Sequence, residues 1–212
     1  FIEANATAGA VTDFGYFDKF TLSLWVWPES DGALLTRTKD EAKETGWGIW
    51  LVDGKVQVNL VKRWLDDSLR VETTTRLKPK QWHHIVVTFD GHPIPEGVRV
   101  YVNGAPQKLH VNLDMLNQDF VAKADPLRIG AGGGPVPRFN GRIDEVRVYH
   151  GTLTDAEIRA HHREPGSVVA GQAKLVLAHS FEEGKAQDSS GNKNHGTLVG
   201  TKVDTIKRQV SR

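Results

Sequence analysis

The chain has 212 residues, 39% hydrophobic and 25% charged, the composition of a globular protein long enough to bury its own core. Its 27 Lys and Arg against 26 Asp and Glu leave a formal charge of +1, which argues against nucleic-acid binding, because counterion release needs a clustered positive surface. There is no Cys, which excludes disulfides, thiolate catalysis, Cys-based zinc sites and c-type haem attachment, and no apolar run approaches the ~18 residues of a membrane span. No membrane insertion and no basic-then-apolar signal segment is read from it. The chain starts at Phe1 and its only Met is Met115, so it reads as part of something longer.

The first 150 residues read as strands. Thr21 to Trp27 alternates, with Leu22, Leu24 and Val26 on one face. Val56 to Leu60 and Val98 to Val102 alternate as well, the period-two signature of a sheet with one face in the core. Ile85 to Phe89 is apolar on both faces, as in a covered central strand. Asp53-Gly54, Asp90-Gly91 and Asn103-Gly104 are hairpin signals, because both residues tolerate positive φ. Many short strands with such turns point to an antiparallel sandwich.

Thr154 to Glu157 is a capping box, and Leu153 and Ile158 sit where a hydrophobic staple would. The helix that follows is expected to reach about 161 or 162 and to stop before Pro165. It reads as a cap after the last sandwich strand. Residues 166–172 read as a linker. Beyond it come a strand at Leu175 to Phe181, a polar loop from Asp188 to Gly196, and Thr197 to Gly200.

Four segments together resemble the concanavalin A-like lectin/glucanase superfamily, and within it the laminin-G-like (LamG) jelly-roll domains of bacteria. They are Phe20 to Val26, Gln81 to Gly91, Val100 to Gly104 and Gly141 to Tyr149, in the family's order and spacing. The resemblance implies an all-β jelly-roll of two antiparallel sheets over residues 1–165, with one short C-terminal helix. In the family, a Phe-Asp/Glu-Glu-Gly stretch and an Asp-Ser-Ser-Gly-Asn loop open the domain. Here Phe181 to Gly184 and Asp188 to Gly196 come last. Residues 173–212 therefore either complete the same sandwich, as a permuted opening strand, or begin a second LamG-like repeat. Asp31 to Arg37 and Arg63 to Leu69 resemble LamG modules inserted in large extracytoplasmic bacterial proteins that also carry cytochrome-type domains.

The resemblance also implies that Asp144 gives an oxygen to a structural Ca²⁺, which takes several hard oxygens at flexible geometry. The bland reading pairs Asp144 or Glu145 with Arg142 or Arg147. Asp188, Ser190, Asn192 and Asn194 offer alternating oxygens, but they lack the spacing and closing Glu of an EF-hand, and a turn satisfying its own backbone is the favoured reading. Trp47, Trp50 and Trp64 fall at strand ends or loops. Beside Arg63, Asp66, Gln57 and Asn59, such a ring could dock a sugar's apolar face. Trp64, Arg63, Asp66, Trp47 and Asn59 are the expected ligand residues, whereas Trp25 and Trp82 read as packing. His83-His84 and His161-His162 point apart and read as structural.

No strand carries the paired carboxylates of a glucanase, since Asp144-Glu145 and Glu182-Glu183 are neighbours on opposite faces. Gly130 to Gly134 precedes no helix and reads as a flexible connection rather than a dinucleotide site. The expectation is a non-catalytic binding or adhesion module, for carbohydrate, in a larger extracytoplasmic (periplasmic, cell-surface or secreted) bacterial protein. The alternatives are a structural module that docks neighbouring protein domains, and a degenerate glycoside hydrolase.

Overall fold

The computed structural model describes residues 1–4, 10–38, 45–122, 125–167, 171–182 and 184–202. In chain order the elements are β1 (Ile2–Ala4), β2 (Phe20–Pro28), β3 (Gly32–Thr38), β4 (Gly46–Val52), β5 (Lys55–Arg63), β6 (Asp67–Thr73), β7 (His83–Phe89), β8 (Val98–Val102), β9 (Ala105–Pro106), β10 (Leu109–Asp114), β11 (Leu127–Ile129), β12 (Gly141–His150), α1 (Asp155–Arg163), β13 (Lys174–His179) and β14 (Gly196–Leu198). They form an eight-stranded sheet, β10-β6-β5-β4-β3-β11-β1-β14, and a six-stranded sheet, β13-β12-β2-β7-β8-β9. Neighbouring strands are antiparallel, and the chain is an all-β jelly-roll sandwich with one short helix.

The alternating sequence dictates the layers. Leu22, Leu24 and Val26 of β2, with Ile85, Val87 and Phe89 of β7, face inward from one sheet. Ile49, Leu51, Val56, Val58, Leu60, Leu69 and Val71 face them from the other. The Asp53-Gly54 and Asn103-Gly104 turns hold both residues at positive φ, as a two-residue hairpin needs. Asp90-Gly91 behaves differently. Only its glycine has positive φ, and the connection from β7 to β8 runs from 90 to 97 through a 3₁₀ turn at Pro95–Gly97.

The helix is more than a terminal cap. Its capping box forms in both directions between Thr154 and Glu157. Its apolar side lies on the outer face of the six-stranded sheet, where Ile158 and Leu153 pack with Val86, Tyr101 and Tyr149. That explains why the 85–89 segment is apolar on both faces. Two strands follow the helix. β13 pairs with β12, and β14 pairs with β1. β13 and β14 thus add one strand to each sheet.

Candidate functional site

The outer face of the six-stranded sheet is occupied. Trp25, His84 and His162 stack there, with ring centroids 5.2 to 5.8 Å apart, and α1 lies across them. The outer face of the eight-stranded sheet is closed over β3 and β4 by the glycine-rich loop. The Thr36 hydroxyl donates to the Ala131 carbonyl at 2.7 Å, Trp50 Nε1 donates to the Gly133 carbonyl at 2.9 Å, and the Gly133 N–H donates to Thr38 Oγ1 at 3.2 Å. Gly132 touches the Thr36 side chain so closely that no Cβ fits. The expected flexible connection is therefore a docked cover.

Two of the expected ligand residues are corrected by this packing. Trp47 is 0% exposed and sits in the core against Phe14 and Phe20, because its place on β4 points inward with Ile49 and Leu51. It has no face for a ligand. Asn59 is also 0% exposed, on the outward row of β5, and neither of its amide atoms has a hydrogen-bond partner. Trp50 is fully buried and Gln57 nearly so. Trp25 is buried beneath α1, and Trp82 is half-buried against Trp27.

The other three gather at the β5–β6 turn. Arg63 and Asp66 are exposed and bonded at 2.9 Å, with the buried Asp67 carboxylate 3.7 Å from Arg63. Trp64 is half-buried, and the Arg70 guanidinium covers one face of its ring at 4.2 Å. Leu65 at the tip is 71% exposed.

Asp67 ties this turn to a groove that sequence reasoning missed. Its Oδ1 accepts the Asn117 N–H at 2.9 Å. Beyond Asn117, residues 117–121 face residues 15–18 across a depression of about 470 Å³. Phe17, 78% exposed, stands at its lip with Tyr16 edge-on to it at 4.8 Å. Asn117 and Gln118 supply exposed amides, and Asp18 and Asp119 supply carboxylates. The walls are pinned together. Asp119 Oδ1 accepts the Tyr16 N–H at 3.1 Å and the Val121 N–H at 3.3 Å, while Asp18 Oδ2 accepts the Gly15 N–H at 2.8 Å. Gly15 permits the approach, since a Cβ there would stand 2.6 Å from Asp119 Oδ1 and 2.7 Å from Val121 Cγ2. The signal available in the sequence was the run Gly15-Tyr16-Phe17-Asp18, which places two aromatics and a carboxylate in a connection ahead of β2.

The metal expectations fare differently. Asp144 is half-buried opposite Trp25, and its Oδ1 accepts the Glu145 N–H at a bulge in β12. Glu145, buried and at positive φ, pairs with Arg147 at 2.7 Å. Among the described residues no three Asp, Glu or His side chains come together, around Asp144 or elsewhere. A Ca²⁺ needs six to eight oxygens. The Asp188 loop satisfies itself. Asp188 is buried and accepts the N–H groups of Ala178, Ser190 and Asn194, each at 2.9 Å. Burial opposes its ionisation, but these donors outweigh burial and hold it below the usual carboxylate range.

The comparisons follow the fold. One match is to the Danio rerio adhesion G-protein coupled receptor V1, 22% identical over 180 residues, spanning 77% of the chain but only 3% of that receptor. A proposed carbohydrate-binding protein of Bacteroides ovatus superimposes with a TM-score of 0.62 at 15% identity, over 97% of this chain and 62% of that one. Domain 4 of the Geobacillus stearothermophilus GH43 extracellular arabinanase, solved with arabinotriose, gives 0.52 at 23% identity, over 73% and 69% of the two chains. The CBM40 of the Ruminococcus gnavus IT-sialidase, bound to α2,3-sialyllactose, gives 0.53 at 15%, over 68% and 82%. The laminin G family model of the concanavalin A-like lectin/glucanases superfamily matches residues 3–159, and with this match, covering most of the sandwich, the chain belongs to that superfamily.

Proposed function

We propose that this chain is a non-catalytic carbohydrate-binding module of a larger extracytoplasmic protein, and that it binds sugar in the groove between residues 15–18 and 117–121. The observation that carries this reading is the outward Phe17 ring beside amides and carboxylates in one open depression. A sugar presents an apolar C–H face and a rim of hydroxyls. It needs one aromatic surface and a few fixed polar groups, which this groove offers. The turn that carries Trp64 and the Arg63–Asp66 pair is tied to the groove by the Asp67–Asn117 hydrogen bond. The carbohydrate-binding domains among the structural neighbours support the reading. Extracellular placement agrees with the laminin G family and with the extracellular arabinanase. Among the described residues no helix is long and apolar enough to cross a membrane.

Asp18 and Asp119 line one groove, which invites comparison with a glycosidase pair. Both are engaged in capping backbone N–H groups, so we assign them to the architecture of a binding site. Calorimetric titration with neutral and acidic oligosaccharides tests the proposal. Binding is expected, it should fall roughly tenfold or more in Phe17→Ala, and the sugar should be recovered uncleaved. Unchanged affinity in Phe17→Ala, or cleavage lost in Asp119→Asn, would overturn it.

One observation favours a second reading, a surface that docks a neighbouring protein domain. Phe17, Leu65 and Met115 are all exposed, and Met115 and Leu65 flank the start of β6. Under that reading no oligosaccharide binds.

A further inference from the structure

Resting on the reading of the groove as a sugar site, we infer that its ligand is a neutral oligosaccharide and that anionic sugars are rejected. The charged side chains lining the groove are Asp18 and Asp119, and none of the described lining residues is basic. Each carboxylate spends one oxygen on backbone N–H groups, Asp18 Oδ2 on Gly15 and Asp119 Oδ1 on Tyr16 and Val121. The second oxygen of each meets no donor among the described residues. Two fixed acceptors of that kind suit sugar hydroxyls, which are donors, and such bonds are strengthened by the charge on the acceptor. A uronate or sialate carboxylate brings a negative charge into a groove whose charged lining side chains are both carboxylates. It would be desolvated beside two like charges, with no basic side chain among the described lining residues to offset them.

The nearest cations do not change that balance. Arg63 is held by Asp66 at 2.9 Å and stands 3.7 Å from Asp67, and Arg70 is stacked on Trp64, so both guanidiniums of this turn are already engaged. Lys19 follows Asp18 in the chain, but its stem runs beside Gly91 on the β7–β8 connection. The amides of Asn117 and Gln118 can donate to ring or hydroxyl oxygens and carry no charge, and Phe17 stacks without regard to it. Discrimination thus comes from repulsion built into the walls, a specificity set against the wrong ligand.

The test titrates arabinotriose and cellotriose against sialyllactose and trigalacturonate at low salt. A neutral trisaccharide is expected to bind at least roughly tenfold more tightly than either acid, a difference of ~1.4 kcal/mol. High salt should narrow the gap by screening the walls. The double variant Asp18→Asn, Asp119→Asn keeps a carbonyl oxygen for each backbone N–H and removes both charges, so it should admit the acids. If the acids bind as tightly as the neutral sugars and Phe17→Ala abolishes both, the ligand class assigned here is wrong and the groove remains a sugar site. If no sugar binds, or if binding survives Phe17→Ala, the groove reading itself falls and this inference with it.

Discussion

Trp47 and Phe17 show how position outweighs residue type. Tryptophan is the more usual sugar platform, yet Trp47 alternates inward on β4 and packs on Phe14 and Phe20, its indole N–H buried without a partner. Phe17, the less conspicuous residue, points outward from a connection. The two should separate cleanly under mutation. Trp47→Ala removes a core side chain and is expected to cost about 3–5 kcal/mol in urea unfolding. Phe17→Ala should leave the urea midpoint unchanged while losing sugar affinity. A stable Trp47→Ala with lost binding would reverse these assignments.

Among the elements, α1 carries one buried imidazole, His161, and one half-buried, His162. His161 lies against Tyr149, its Nε2 3.3 Å from the phenol oxygen, and His162 stacks on Trp25 and His84. Burial, and then the neighbouring Arg147, push His161 down to about 4 from its ordinary 6.5, against the opposing pull of Glu157. Burial also lowers His83, His162 and His179. Between about 6.5 and 4 the unfolded chain takes up protons that the folded chain refuses. Stability should therefore fall as the pH drops through that window, and Asp188, held below the usual carboxylate range, extends the fall at lower pH. Urea titrations at steps from pH 7 to pH 4 should show this fall, and His161→Gln should flatten part of it. A stability that rises on acidification would contradict the buried, neutral state of these rings.

The same elements show what was legible beforehand. Period-two alternation set the core faces of β2, β5 and β8, and the capping box set α1, because both signals are local. The docking of α1 on Val86 and Tyr149, and of loop 130–134 on Trp50, joins residues far apart in the chain, which periodicity does not report. Of the candidate site, Arg63, Trp64 and Asp66 were legible as an aromatic between charges. The groove beside them was not, since it arises where residues 15–18 meet residues 117–121. Trp47 misled because a strand terminus and a loop look alike in sequence, and Asn59, in the middle of β5, because alternation does not report whether an outward residue is covered.

Over the whole molecule, the proposed site occupies one rim. The six-stranded sheet is roofed by α1, and the eight-stranded sheet is covered at β3 and β4 by the glycine loop. The proposed groove lies where the connections before β2, after β5 and after β10 meet, joined by Asp67 to Asn117 and by Asp119 to Tyr16. Loops held by a rigid scaffold are the usual seat of binding sites. β13 and β14 add one strand to each sheet, and the buried Asp188 accepts three backbone N–H groups between them. The most direct test of this account is an amide NMR titration of the chain with arabinotriose. The account predicts saturable shifts confined to residues 15–18 and 117–121, with smaller ones at Arg63 to Asp67. Shifts centred elsewhere, or no shift at millimolar sugar, would contradict it.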